Sequence, residues 1–267
     1  LKIGFVQFAP ALADVQATMH QIESLAPLCA GADLLVLPEL CNSGYNFTSH
    51  QQAWESSEQI NDSVFLRFLE DLSQRHGFFV VSGLNERDGS RLYNSAVLVG
   101  PGGYVGRYRK LHLFMNEVDY FDPGDVGLPV FDIGSCKVGM LICFDWLFPE
   151  VWRILALKGA DVICHPSNLV LPGLAQSAVP IWALTNRVYV VTANRIGSEG
   201  DLTFTGLSTI ASPRGDVRMQ ASASEVRVGL VDADTALSRN KLITPRNDIF
   251  RDRRPQEYGL LAETVMT

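Results

Sequence analysis

The chain is expected to fold as an α/β protein of stacked sheets and helices, on three observations. Apolar runs with strand character alternate with amphipathic stretches of helical spacing along most of its length. The middle portion instead carries three strand-like segments in a row, separated by turn residues. Finally, 47% of the 267 residues are hydrophobic, which suits one large core better than two small ones. A single domain over 1–267 follows, with sheets covered by helices.

Taken in order, "KIGFVQFAP" reads as a strand, "DVQATMHQIESLAPLCAG" as a helix ending at Gly31, and "ADLLVLPEL" as a strand. That is a βαβ start. In "SVFLRFLEDLSQRHG", Val64, Phe65, Phe68, Leu69 and Leu72 fall on one stripe, and Gly77 is its stop signal. The segments "FFVVSGLNE", "RLYNSAVLVGP" and "YVGRYRKLHLF" are short strands broken at Asp88-Gly89 and Pro101-Gly102-Gly103, an antiparallel pattern. A loop, "MNEVDYFDPGDVGLP", precedes a strand pair in "PVFDIGSCKVGMLICF" turning at Gly134-Ser135. Helix "PEVWRILALKGA", strand "DVICHPSNL", helix "QSAVPIWALTNR" and strand "VYVVTANRI" follow, and the strands "FTGLSTIASP" and "VRVGLVDAD" close the globular part. The final stretch, "NDIFRDRRPQEYGLLAETVMT", is charged and aromatic without a clear period, either a disordered tail or an arm on a neighbouring subunit.

Composition excludes several classes. A net charge of -7 gives no basic face for phosphates, and Arg107, Arg109 and Lys110 are too few to make one, so nucleic acid is not expected as a partner. The five cysteines are odd in number and lack CxxC or metal-ligand spacing, so neither a disulfide framework nor a metal site is expected. The first residues lack the pattern of a signal peptide, and no apolar run approaches the roughly 18 residues of a membrane span. A cytoplasmic protein without membrane contact is the expectation.

Ligands in α/β folds gather at the C-terminal ends of strands. Three such ends carry an unusual side chain: Glu39 in "LLVLPEL", Lys110 in "GRYRKLHLF" and Cys143 in "GMLICFDW". Singly, each has an ordinary explanation, as a loop-capping carboxylate, a solvated cation and a core thiol. Together they supply a reaction. A cysteine at a strand-to-helix turn with a lysine nearby is expected to have a stabilised thiolate. A carboxylate in an apolar pocket is suited to accept and return a proton, and an ammonium plus the backbone N–H after the nucleophile can hold an oxyanion.

The segments "LPEL", "YRKLHLF" and "CFDWLFPE", in this order and spacing, resemble the three catalytic segments of the nitrilase, or carbon–nitrogen hydrolase, superfamily. The likeness runs from "KIGFVQFAP" through "GADVICHPSN" and "NRVYVVTANRIG" to "NDIFRDRR". It implies a four-layer αββα sandwich pairing as an αββααββα homodimer or building a higher homo-oligomer, with residues 242–267 as an arm on the neighbouring subunit. It also implies that Cys143 attacks an amide or nitrile carbon, that Glu39 takes the thiol proton and later activates water, and that Lys110 and the N–H of Phe144 hold the oxyanion. No metal or organic cofactor is implied, and the partner is a small-molecule substrate.

Glu117, seven residues after Lys110, resembles the additional glutamate that many members of the superfamily place beside the lysine. His112 is expected to be structural, and Asp145 to cap the helix after the nucleophile. Asn168 and Asn194 follow strand ends and are candidates for binding substrate or holding loops, and Tyr45 is a candidate for lining the pocket. Nitrilases proper usually show Cys-Trp-Glu, whereas Cys143-Phe144-Asp145 here favours an amidase. The alternatives are a nitrilase of small aliphatic nitriles, or an N-carbamoyl amino acid hydrolase using Arg187 or Arg195 for the substrate carboxylate. A catalytically silent dimeric scaffold is the reading from outside the enzymes.

Overall fold

The computed structural model describes residues 1–264. Its first half runs β1 (Lys2–Gln7), α1 (Val15–Leu25), β2 (Leu34–Val36), α2 (His50–Glu55), α3 (Val64–His76), β3 (Phe79–Asp88), β4 (Arg91–Gly100) and β5 (Gly103–Arg109). The second half runs β6 (Val130–Asp132), β7 (Lys137–Met140), α4 (Pro149–Leu157), β8 (Val162–Ser167), α5 (Leu174–Asn186) and β9 (Tyr189–Asn194). A small hairpin of β10 (Ser198–Glu199) and β11 (Leu202–Thr203) leads to β12 (Thr209–Ala211) and β13 (Val217–Gln220). The chain then returns to the first sheet as β14 (Arg227–Asp232) before α6 (Thr235–Arg239) and a hairpin of β15 (Leu242–Thr244) and β16 (Asn247–Asp248).

Two six-stranded sheets result, ordered β14-β1-β2-β3-β4-β5 and β13-β12-β9-β8-β7-β6. Each has a parallel trio, β1-β2-β3 and β7-β8-β9, flanked by antiparallel strands. The period-two alternation of side chains decides the layering. Ile3, Phe5, Leu34, Val36, Val81, Ala96 and Leu98 of the first sheet join Val138, Met140, Val162 and Val191 of the second in one core between the sheets. Their neighbours Val6, Leu35, Val80, Val97 and Val99 face the other way, onto Ile22 of α1 and Phe65, Leu69 and Leu72 of α3. Val151, Trp152 and Leu155 of α4 and Val179 and Ala183 of α5 cover the second sheet. The order is helices, sheet, sheet, helices, the αββα sandwich.

Local signals explain most boundaries. Ser63 Oγ accepts the Leu66 N–H at 2.8 Å and starts α3, and Gly77 stops it at φ 77° with its N–H on Ser73 O at 2.8 Å. Other segments depart from expectation. "ADLLVLPEL" is extended as a ladder strand only over Leu34–Val36, because Pro38 has no N–H to continue the pairing. "YVGRYRKLHLF" leaves the sheet after Arg109, and the Leu111 N–H goes to Tyr108 Oη at 3.1 Å. The polar helix α2 and the exposed edge strand β13 carry little apolar pattern and are not evident from sequence.

Part of the 242–267 segment packs on its own chain. Phe250 lies against the core between the two sheets and α4, with Lys241 Nζ 4.8 Å and the Arg153 guanidinium 5.6 Å from its ring. Beyond it Leu260 and Leu261 are exposed, and 265–267 of the expected arm lie outside the described residues. Among the described residues no helix is long and apolar enough to cross a membrane.

Candidate active site

Four loops at the C-terminal ends of β2, β5, β7 and β8 converge. Glu39 lies three residues past β2, bracketed by bonds to β3: Gly83 N–H to Pro38 O at 3.0 Å and Cys41 N–H to Gly83 O at 3.2 Å. The approach is so close that a Cβ on Gly83 would sit 2.2 Å from Leu40 N. Lys110 follows β5 directly, its N–H on Asn94 O and its carbonyl accepting the Gly124 N–H, both at 2.8 Å. Glu117 sits in a 3-10 turn, Met115–Asp119, and Cys143 opens another, Cys143–Leu147. Leu40, Met115 and Cys143 have φ of 44°, 46° and 41°, so a non-glycine left-handed backbone occurs at Cys143, next to Glu39 and at the start of the turn that carries Glu117. Such strain persists only where the surroundings enforce it.

The side chains form one buried network. Lys110 Nζ donates to Glu39 Oε1 at 2.8 Å and to Glu117 Oε1 at 2.7 Å. Asn94 Nδ2 adds a bond to Glu39 Oε1 at 2.7 Å, and Tyr45 Oη donates to Glu117 Oε1 at 2.8 Å. Glu39 is 0% exposed and Lys110 1%. Among the described residues, Glu39 Oε2 has no hydrogen-bond partner. A buried carboxylate oxygen left free is costly, and it is the group from which a proton acceptor can be made.

Charge in this pocket runs against one expectation. Burial disfavours the Lys110 ammonium, but Glu117 and Glu39 outweigh it and its pKa is raised, so Lys110 stays charged. Burial pushes Glu117 up to about 7, with Lys110 opposing and Glu39 adding to the rise. Burial also pushes the Cys143 thiol well above its ordinary value, Glu39 and Glu117 add to that, and Lys110 and the Asn168 N–H only partly oppose them. The resting group is therefore a thiol and not the stabilised thiolate expected from sequence. One ammonium between two carboxylates does not supply enough positive potential.

Of the other candidates, Phe144 is half-buried and packs on Phe114 and Phe148, with ring centroids 5.0 and 5.4 Å apart. Asn168 Nδ2 donates to the Glu39 carbonyl at 3.0 Å, tying the β8 loop to the β2 loop. Asn194 is used up elsewhere: Nδ2 bonds Thr205 Oγ1 at 2.9 Å and Gly206 O at 2.6 Å, and Oδ1 accepts the Leu169 N–H at 2.8 Å. It holds loops and does not line the cleft. Arg195 is buried in an ion pair with Glu199, whose other oxygen accepts the N–H groups of Tyr45 and Asn46 at 2.9 and 2.7 Å. Arg187 donates to Asn240 O and Pro213 O, at 3.1 and 3.2 Å. Neither arginine lines the cleft beside Cys143 and Glu117. His112 stacks on Phe148 at 3.5 Å and pairs through Nδ1 with Asp145 Oδ1 at 2.7 Å, while Asp145 Oδ2 accepts the Ile142 N–H at 2.9 Å and the Tyr108 hydroxyl at 2.7 Å.

The cleft has two lobes sharing Phe114 and Val170. One holds Cys143, Phe144, Trp146 and Asn168, and the other, a cavity of about 60 Å³, holds Tyr45, Glu117, Tyr120 and Phe121. Asn94 and Gly83 escaped the sequence reading. Asn94-Ser95 interrupting the apolar run of β4 was the available sign of the first, and nothing local marks the second.

The carbon–nitrogen hydrolase family model matches residues 2–240. A nitrilase of Pyrococcus abyssi is 48% identical over 260 residues, 97% of this chain and 99% of that one. An (R)-stereoselective amidase of Pseudomonas sp. is 35% identical over 95% of this chain and 92% of that one. A solved mutant of the amidase from Nesterenkonia sp. AN1, carrying the acetamide moiety of fluoroacetamide on its active-site cysteine, superposes with a TM-score of 0.80 at 25% identity, covering 97% of this chain and 95% of that one. With the family matched over nearly the whole length and a buried cysteine, lysine and two glutamates gathered at one set of strand ends, the chain belongs to the carbon–nitrogen hydrolase family.

Proposed function

We propose that this carbon–nitrogen hydrolase is an amidase that converts a small uncharged carboxamide into its acid and ammonia through a thioester on Cys143. The observation that carries the reading is Lys110 Nζ bridging Glu39 and Glu117 while Glu39 Oε2 stays unpartnered, close enough to Cys143 for its charge to raise the thiol pKa. In the first step the Cys143 sulfur bonds to the amide carbon as its proton passes to Glu39 Oε2. The C=O electron pair moves onto oxygen, held by a Lys110 Nζ proton and the Phe144 N–H. Collapse of the adduct breaks the C–N bond, and Glu39 returns the proton to the departing ammonia. Water then gives a proton to Glu39 as it attacks the thioester, and the acid leaves as the thiol reforms. A base poised beside a neutral thiol suits the raised pKa of Cys143.

The acyl group is assigned to the lobe beside Tyr45 and Glu117. Among the described residues lining the two lobes none is cationic, the nearby Lys110 ammonium is held by Glu39 and Glu117, and Arg187 and Arg195 are bonded elsewhere, so an acyl group carrying a carboxylate lacks a partner of its own. The cavity of about 60 Å³ suits a short chain. A nitrile is the second reading, favoured by the name of the Pyrococcus abyssi relative. A homodimer is proposed as the working form, on the support of Ile154 and Leu157 of α4, Leu174 and Ile181 of α5, and Leu260 and Leu261 near the end of the arm, all exposed. Five buried free cysteines suit a reducing compartment such as the cytoplasm.

Ammonia release from short aliphatic amides, the matching nitriles, dicarboxylic ω-amides and N-carbamoyl amino acids tests the substrate, and light scattering tests the dimer. Release from the plain amides is expected in wild type and absent in Cys143→Ala, and Lys110→Ala is expected to lose at least a hundredfold in kcat. Ammonia release that survives in Cys143→Ala overturns the mechanism, and preference for a carboxylate-bearing substrate overturns the substrate assignment.

A further inference from the structure

The cysteine that opens the 3-10 turn has a left-handed backbone, φ 41°, and its carbonyl is held by a side chain from the adjacent strand. His165 of β8 is fully buried, with Nε2 2.9 Å from the Cys143 carbonyl oxygen and Nδ1 3.0 Å from Thr192 Oγ1 on β9. A carbonyl only accepts, so Nε2 carries the proton, and Nδ1 accepts from the Thr192 hydroxyl. Burial lowers the His165 pKa to about 4, so this neutral tautomer persists across the ordinary working range. Trp152 closes one side of the ring edge to face at 5.7 Å, and Ser167 Oγ, 3.3 Å from Nε2, is the other polar group beside it.

The Cys143 carbonyl and the Phe144 N–H belong to one planar trans peptide unit, so they point in opposite directions. Fixing one fixes the other. We propose that His165 is a positioning residue for the oxyanion site: by holding the Cys143 carbonyl it aims the Phe144 N–H into the cleft, where the oxyanion develops. Thr192 sets the tautomer and ring orientation in turn. A strained residue at this corner makes such an anchor necessary, because the peptide after it can rotate to relieve the backbone and carry its N–H out of line. Removing one well-aimed oxyanion donor commonly lowers kcat by about 10²- to 10³-fold.

This inference rests on the amidase reading above, and the test separates the two. His165→Leu keeps much of the volume without the donor, and His165→Gln keeps an N–H that can reach the carbonyl. With a short aliphatic amide, His165→Leu is expected to lose about 10²- to 10³-fold in kcat with KM within a few-fold, and His165→Gln to recover most of that loss. Two probes report on the site without turnover. Iodoacetamide alkylates Cys143 without forming an oxyanion, so its rate in His165→Leu is expected to stay near that of wild type. Butyraldehyde adds to the thiol as a thiohemiacetal, forming the C–S bond and placing the charge or proton on the former carbonyl oxygen. Its inhibition is expected to weaken in parallel with kcat. A folded His165→Leu with normal turnover overturns the proposal, and so does loss of alkylation and turnover together, which marks a general packing role. If wild type releases no ammonia from any amide or nitrile, the amidase reading fails first.

Discussion

The Cα of Glu39 lies 2.5 Å from the point where a Cβ on Gly83 would stand, so the backbone of the β2 loop rests directly on β3. Gly83→Ala is therefore expected to push Glu39 away from Lys110, with overpacking that costs about 1–3 kcal/mol. A displacement of that size typically lowers turnover about a hundredfold. Thermal unfolding and kcat of the variant measure both, and a variant with wild-type kcat refutes the contact.

Glu117 binds its proton more tightly in the folded chain, at about 7, than an exposed glutamate does. Its folded pKa is raised, so the associated stability is full below about 4.5 and is lost as pH rises through 7. Each tenfold change in proton affinity is about 1.4 kcal/mol, so the window is worth on the order of 3 kcal/mol. Denaturant unfolding at pH 5 and pH 8 is expected to show wild type losing stability relative to Glu117→Gln across that interval. Parallel behaviour of the two proteins contradicts the shift.

Because burial and two carboxylates raise the Cys143 pKa, its alkylation by iodoacetamide is expected to climb steadily with pH and show no plateau at neutrality. Mass spectrometry of the labelled peptide distinguishes Cys143 from the other four buried thiols. A plateau below pH 7 means that a thiolate is already present in the resting enzyme.

The Arg195 and Glu199 pair anchors the loop that carries Tyr45. Arg195→Met leaves a buried carboxylate unpaired and is expected to cost about 3–5 kcal/mol. Any change in KM is expected to be equal for plain and carboxylate-bearing amides, since the guanidinium is held in its ion pair. Selective loss of the carboxylate-bearing substrates means that Arg195 reaches the cleft.

The candidate residues that the structure brings together carry unequal marks in the sequence. Glu39 and Cys143 each follow an apolar run, where a chargeable or reactive group stands out because burying it without partners is expensive, whereas Lys110 follows the polar stretch Arg107-Tyr108-Arg109 and is marked by its motif. Asn168 and Asn194, in contrast, look alike in sequence, each following an apolar strand near a loop. One ties the β2 loop to the site, and the other is spent on Thr205, Gly206 and Leu169. Arg195 looked like an anion-binding group until its ion pair with Glu199 was visible. Side-chain type says what a group can bond, and only the packing says which partner reaches it first.

The alternation of most strands and helices, and the apolar faces that call for sheets covered by helices, are written in neighbouring residues, while the four-layer sandwich and the candidate roles of Glu39, Lys110 and Cys143 come from the resemblance to the carbon–nitrogen hydrolases. Local periodicity and backbone preference act over a few positions. The bonds that gather these side chains join Lys110 to Glu39 across 71 positions, Asn168 to Glu39 across 129 and His165 to Cys143 across 22. Their lengths, the free oxygen of Glu39 and the protonated state of Cys143 depend on how two sheets and four loops settle against each other. Those quantities are set by desolvation and close packing among residues distant in the chain, and so they belong to the tertiary structure.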